Sequence, residues 1–363
     1  MLVFLFHSWE FSGRPRIPIL TDIVGQNTRP DLFIVITGFV LFLPFARDMD
    51  RIHRFQTGEY LRRRLRRIVL PYWAALALAL ALPLALKAAY ALLGKTTNPT
   101  PAPDWGDVLA HVTFTHMFFP EYWDGINGSL WTMSLEMQLY LLFPLLILVA
   151  ARWGMWSLAL AVTSSFAYRI AVEILVDGPG FPDQFLWGAT AIGRLMEFAA
   201  GMAAAVLAMR LRKSFTALNA LLTLIVFVGS YIVATASPWS SSAFPVRDTA
   251  LALGFGSLVI LAIGNRWVEA AFAWSPFSSL GYRAYSLFLV HQPVAWYTAE
   301  FFKKELGLQE GLVLLLLMWT VGFAAVWLVG SAFFRLIEAP CIRWSRAAKS
   351  PYNSRPSVDP TPA

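Results

Sequence analysis

The sequence predicts an all-α fold, a polytopic membrane bundle of about ten transmembrane helices with both termini on the cytoplasmic side. Three observations predict it. First, 57% of the 363 residues are hydrophobic and 14% are charged, where soluble domains carry about 25% charged residues. Second, stretches such as Ala74 to Leu86 and Leu312 to Trp319 are apolar on every face, which suits a helix in lipid and excludes the alternating strands of a transmembrane barrel. Third, the basic residues gather in alternate connections and at the C-terminal end, as the positive-inside rule requires. Topology therefore accounts for the net charge of +7, and no nucleic-acid partner is implied. The lone Cys341 has no partner for an intramolecular disulfide.

Met1 to Trp9 is apolar but too short to cross a bilayer, and it lacks the basic start and small-residue cleavage site of a signal peptide. Counted as the first helix, it brings the spans to ten. Gly13, Pro15, Pro18, Gly25 and Pro30 mark a loop. Leu32 to Ala46 is the next span, extendable over Asp31. Arg47 to Arg67 holds eight arginines and belongs in the cytoplasm. Ile68 to Leu93 crosses outward. Gly94 to Gly128, with Pro99, Pro101, Pro103 and Pro120, is an outer loop with an interfacial or re-entrant piece. The chain then alternates direction through Leu130 to Ala150, Met155 to Val176, Phe185 to Met209, Ala217 to Ala236, Thr249 to Gly264, Tyr285 to Phe302 and Leu312 to Phe334. Residues 1–345 thus form one membrane domain, and the proline-rich residues 346–363 a disordered cytoplasmic tail.

An ionisable side chain at the centre of a bilayer costs at least about 2.5–3.5 kcal/mol, so those within the spans mark function or a partner. His7 has the side chain suited to taking a proton from a hydroxyl. Glu136 has no basic residue within a turn of it. Arg194 and Glu197, at i and i+3, can neutralise each other, as can Arg169 and Glu173 at i and i+4. His291 stands about two turns into its span, and Glu338 precedes Ala339 and Pro340 at an expected helix end, where a cytoplasmic ion pair or a cap is the expected role. Arg64 and Arg67, at i and i+3 on a helix entering the membrane, can share a phosphate. Gly38 marks a close helix contact. The sequence has no phosphate loop, metal-type cluster or nucleophile elbow, and neither a metal nor a tightly bound cofactor is expected.

In this order the segments resemble the acyltransferase 3 family of integral membrane O-acyltransferases. They are Phe6-His7, Thr37-Gly38-Phe39-Val40-Leu41, Arg64-Leu65-Arg66-Arg67 with Pro71-Tyr72-Trp73, and Leu130-Trp131-Thr132-Met133-Ser134-Leu135-Glu136 with Tyr140 and Pro144. Arg194-Leu195-Met196-Glu197-Phe198 with Gly201, Gly281 to His291, and Glu338-Ala339-Pro340 complete the set. The resemblance implies transfer of an acyl group, an acetyl in the first instance, from cytoplasmic acyl-CoA to a hydroxyl of a carbohydrate or glycosylated natural product. It implies catalytic roles for His7 and Glu136 and donor binding by Arg64 and Arg67, and it places the protein in the cell's inner membrane. Arg194, Glu197 and His291 remain further intramembrane candidates. Three departures stand out: the arginine that the family carries ahead of its first-helix histidine has no counterpart before His7, Thr132 and Met133 replace the usual serine and leucine, and the soluble domain that some relatives carry after the bundle is not expected here. The match of His7 to the family's first-helix histidine implies that Met1 to Trp9 is the outer half of a truncated first helix, with Met1 an internal methionine. Read without the resemblance, the same residues would also suit a secondary transporter with a proton relay; unbroken helices and the lack of an internal repeat count against it.

Overall fold

The computed structural model describes residues 2–18, 21, 28–92, 94, 104–176, 183–237 and 244–347, and among them there are helices and no strand. The expected tail lies outside the described residues from 348 onward. Helix α1 (Leu2–Phe11) leads to α2 (Arg29–Arg47) and α3 (Thr57–Leu92), which begins inside the arginine run. A short α4 (Trp105–Val112) precedes α5 (Trp131–Trp153) and α6 (Trp156–Leu175). After α7 (Asp183–Gly188) come α8 (Leu195–Leu211), α9 (Ala217–Ala236) and α10 (Phe244–Gly264). Short α11 (Arg266–Ala273) and α12 (Ser275–Tyr282) lead to α13 (Ala284–Glu305) and α14 (Leu312–Arg346).

Seven of these helices, α2, α3, α5, α6, α9, α10 and α14, are long and apolar enough to cross a membrane. The chain is a multi-pass membrane protein. Over half of the apolar stretch of α2, α5 and α10 is buried, whereas α9 buries only Ala234. So α2, α5 and α10 form the centre, and α9 turns its apolar surface outward. The closest helix crossing explains Gly38. A Cβ there would stand 2.1 Å from the carbonyl oxygen of Phe198 on α8, and one at Gly201 would stand 2.0 Å from that of Val35 on α2. Small residues let two backbones meet this closely.

Three expected boundaries move. The span beginning at Phe185 breaks into α7 and α8, because Gly193 folds back until its Cβ position is 2.1 Å from the Gly188 carbonyl oxygen; Arg194 becomes the residue capping α8. The span expected from Thr249 starts at Phe244 and takes in Arg247 and Asp248, both buried. The last helix does not end before Pro340. A π turn over Phe334–Glu338 precedes the proline, which lacks the N–H that would extend the regular ladder, and the helix runs on to Arg346. Glu338 accordingly is no terminal residue. It is buried and accepts hydrogen bonds from the Ser286 amide (3.0 Å) and hydroxyl, so it caps the start of α13.

The segment 105–118 packs against the spanning helices. Tyr72, fully buried on α3, donates to the His111 carbonyl at 3.0 Å and stacks on Phe114 at 4.2 Å. Trp73 donates to the Val112 carbonyl at 3.0 Å, and Ser134 on α5 donates to that of Phe114. These bonds satisfy backbone groups in a segment that neighbouring helices enclose.

Candidate active site

His7 projects from α1 toward α13, where its ring centroid lies 5.3 Å from that of His291. Trp319 on α14 holds α1 in place by donating to the Ser8 hydroxyl at 3.0 Å. The Nδ1 of His7 is 3.2 Å from Glu10 Oε2. A carboxylate there places the ring proton on Nδ1 and leaves Nε2 as the basic nitrogen. The Nδ1 of His291 bonds the Phe288 carbonyl, which can only accept. Its Nε2 is therefore also a lone-pair nitrogen, and it is buried with no hydrogen-bond partner among the described residues. Beside this pair is a cavity of about 340 Å³, whose polar wall includes His7, Glu10, Arg29, Asp124, Thr132 and Gln292 and whose other wall is aromatic. The guanidinium of Arg29 lies 4.2 Å over the Phe6 ring.

Glu136 is buried one turn along α5 from Thr132. Pro30, Phe33 and Thr132 line both the His7 cavity and a narrow cleft that ends on Glu136. The Glu136 carboxylate accepts from the Tyr140 hydroxyl, and its Oε2 has no hydrogen-bond partner among the described residues. Arg64 then lies 5.1 Å over the Tyr140 ring. Beyond it, Arg63, Arg64 and Arg67 of α3 and Arg346 of α14 line a second cavity, of about 200 Å³. The structure thus brings His7 together with His291, and Glu136 with Tyr140 and Arg64. It does not bring the Glu136 carboxylate to the imidazole: the acid on His7 is Glu10. That spacing, i and i+3, was readable, but Glu10 falls at the polar end of a segment that looked purely apolar.

A family model described as an acyltransferase domain, that of acyltransferase 3, matches residues 1–335. The chain belongs to the acyltransferase 3 family. It is an acyltransferase. Neither a curated protein nor a solved structure is significantly similar to it.

In this acyltransferase the other candidates, Arg194 and Glu197, lie in a separate cluster that joins α2, α6, α8 and α10. Arg194 Nη1 is 2.8 Å from Asp31, 2.8 Å from Glu197 and 3.3 Å from Asp248. Arg169 pairs with Asp248 across the bundle, not with Glu173 on its own helix, and Arg247 stands 3.8 Å from the same aspartate. All six are buried, three cations against three carboxylates. Carboxylate oxygens of Asp31, Glu197 and Asp248 lie within 4.8 Å of one another, a spacing that could serve a metal ion. The guanidinium of Arg194 stands against all three, so they fit a salt-bridge network and not a cation site.

Proposed function

We propose that this acyltransferase transfers an acyl group, an acetyl in the first instance, from cytoplasmic acyl-CoA to a hydroxyl of a carbohydrate or glycosylated natural product. The supporting observation is the placement of two cavities, one holding a carboxylate-oriented histidine and one lined by arginines, with Thr132, Glu136 and Tyr140 between them. By the positive-inside rule the arginine end faces the cytoplasm, with both termini there and the bundle in the cell's inner membrane. Arg64 and Arg67 hold the donor's phosphates as charge-assisted bonds, and the thioester reaches past Tyr140 toward His7. The acceptor enters the His7 cavity, whose aromatic wall and scattered polar groups suit a sugar-bearing molecule.

The Nε2 of His7 removes the proton of the acceptor hydroxyl as its oxygen attacks the thioester carbonyl. The new C–O bond forms and the C–S bond breaks. The imidazolium, held and balanced by Glu10, returns the proton to the departing thiolate, giving free CoA and the ester. No covalent acyl-enzyme is needed. Membranes carrying the protein should move radiolabelled acetyl from acetyl-CoA into endogenous carbohydrate, and His7→Ala membranes should not. Solute movement across sealed vesicles, with no label in any acceptor, would replace this reading with that of a transporter.

A further inference from the structure

On the donor reading above, we infer that Arg346 joins Arg63, Arg64 and Arg67 to form the pocket for the diphosphate end of the acyl carrier, so that the C-terminal helix is part of the donor site. The pocket has two walls. One is the first turns of α3, with Tyr60 and its three arginines; the other is the last turns of α14, with Ile342, Ser345 and Arg346.

The second wall is fixed in place. Ser345 donates to the Arg63 carbonyl at 2.8 Å, and the guanidinium of Arg66 lies 4.2 Å over the Trp344 ring. Arg346 is therefore presented by a docked helix, not by a loose tail. Its position lies beyond the residues 1–335 that the family model covers.

Among the described residues no carboxylate lines this pocket. Arg62 pairs with Glu59 at 3.1 Å, but among the described residues no carboxylate stands at ion-pair distance from Arg63, Arg64, Arg67 or Arg346. Four guanidinium groups around one cavity repel each other unless an anion sits between them. Guanidinium forks match phosphate oxygens two at a time, and four of them answer the charge of a diphosphate with a neighbouring phosphate. The volume, about 200 Å³, is below the roughly 300–1,000 Å³ of pockets that enclose a drug-sized ligand. It fits the phosphate groups and leaves the rest of the carrier to run along Tyr140, on which Arg64 already lies.

A phosphate ester could arrive as a soluble nucleotide carrier or as an anionic lipid headgroup, and one experiment separates them. Full-length protein in detergent is titrated with CoA by calorimetry, with inorganic pyrophosphate as competitor, and in parallel in nanodiscs with and without phosphatidylglycerol. CoA should bind, pyrophosphate should compete, and Arg346→Gln should weaken binding about tenfold or more, the loss of a charged hydrogen bond. Arg343→Gln, a basic residue of the same turn outside the pocket, should leave it unchanged. Equal melting temperatures for both variants show that α14 stays docked. If Arg64→Gln and Arg67→Gln abolish CoA binding while Arg346→Gln does not, the role of Arg346 is wrong and the donor reading stands. If pyrophosphate binds in an Arg346-dependent way and CoA does not, the pocket stands and the donor reading falls. If only phosphatidylglycerol responds to Arg346, the ligand is lipid and the inference is overturned.

Discussion

Buried charge is handled in two opposite ways within this bundle. Around Arg194 every charged group has an opposite charge close by: Asp31 and Glu197 at 2.8 Å, Asp248 at 3.3 Å, and Arg247 at 3.8 Å from Asp248. Around Glu136 and His291 polar atoms beside the His7 cavity are left open. Among the described residues Glu136 has a tyrosine hydroxyl and no cation at ion-pair distance, and His291 Nε2 has no hydrogen-bond partner. An unsatisfied buried polar atom costs about 1–3 kcal/mol. Single unbonded atoms occur in both sets, on Glu197 Oε2 and Arg194 Nε as on Glu136 Oε2 and His291 Nε2; the difference is that each charge of the Arg194 cluster has an opposite charge against it. The closed set holds helices together, and the open set is available for chemistry.

The largest effect expected from this contrast is on catalysis. His7→Ala should lower acyl transfer by up to about ten-thousandfold, the upper range for loss of a general base, with no change in melting temperature. A variant that melts early and loses activity in proportion would move His7 into the structural set. Arg194→Leu should do the reverse. It leaves Asp31, Glu197 and Asp248 facing one another with one less cation, and breaking a buried pair in this way costs about 3–5 kcal/mol. Size-exclusion chromatography in detergent should show aggregation or loss of the folded peak. A well-folded Arg194→Leu protein that lacks only activity would erase the distinction between the two sets.

The next effect is smaller and tests how the open set is organised. Glu10→Gln keeps the shape beside His7 but removes the charge that balances the imidazolium. A charged hydrogen bond is worth about 1.5–3 kcal/mol, so transfer should fall about ten- to a hundredfold. The protein should melt as before. Unchanged transfer would mean that some other group orients His7, and the parallel Glu136→Gln variant would show whether it is that acid.

Much of this was legible in the sequence, and the failures share one cause. Apolar runs and basic connections located each membrane helix because hydration is a local property, readable residue by residue. Gly38 was legible for the same reason: the absent side chain is itself the signal. Arg194 and Glu197 were legible as a pair, but their partners were not, since Asp31 is 163 positions away from Arg194 in the chain and Asp248 looked like part of a loop. Charge normally excludes a residue from a span. Arg247 and Asp248 enter α10 because opposite charges brought by other helices neutralise them, and no local pattern reports that. Pro340 misled in the same way. It reads as a stop, yet the π turn before it and the contact of α14 with α3 carry the helix onward.

The smallest expected effect probes a polar contact that belongs to neither set. The Tyr72 hydroxyl donates to the His111 carbonyl at 3.0 Å, and its ring stacks on Phe114. Both groups are neutral and both are satisfied, so Tyr72→Phe removes one ordinary hydrogen bond and keeps the stack. The expected cost is about 0.5–1.5 kcal/mol, a small downward shift in melting temperature, with transfer unchanged because the segment around His111 keeps its bonds from Trp73 and Ser134. A large loss of transfer with intact stability would show that the position of this segment, and not only its presence, shapes the cavity around His7. The division of the bundle into closed and open charge would then have to include a neutral scaffold that sets the geometry of the open part.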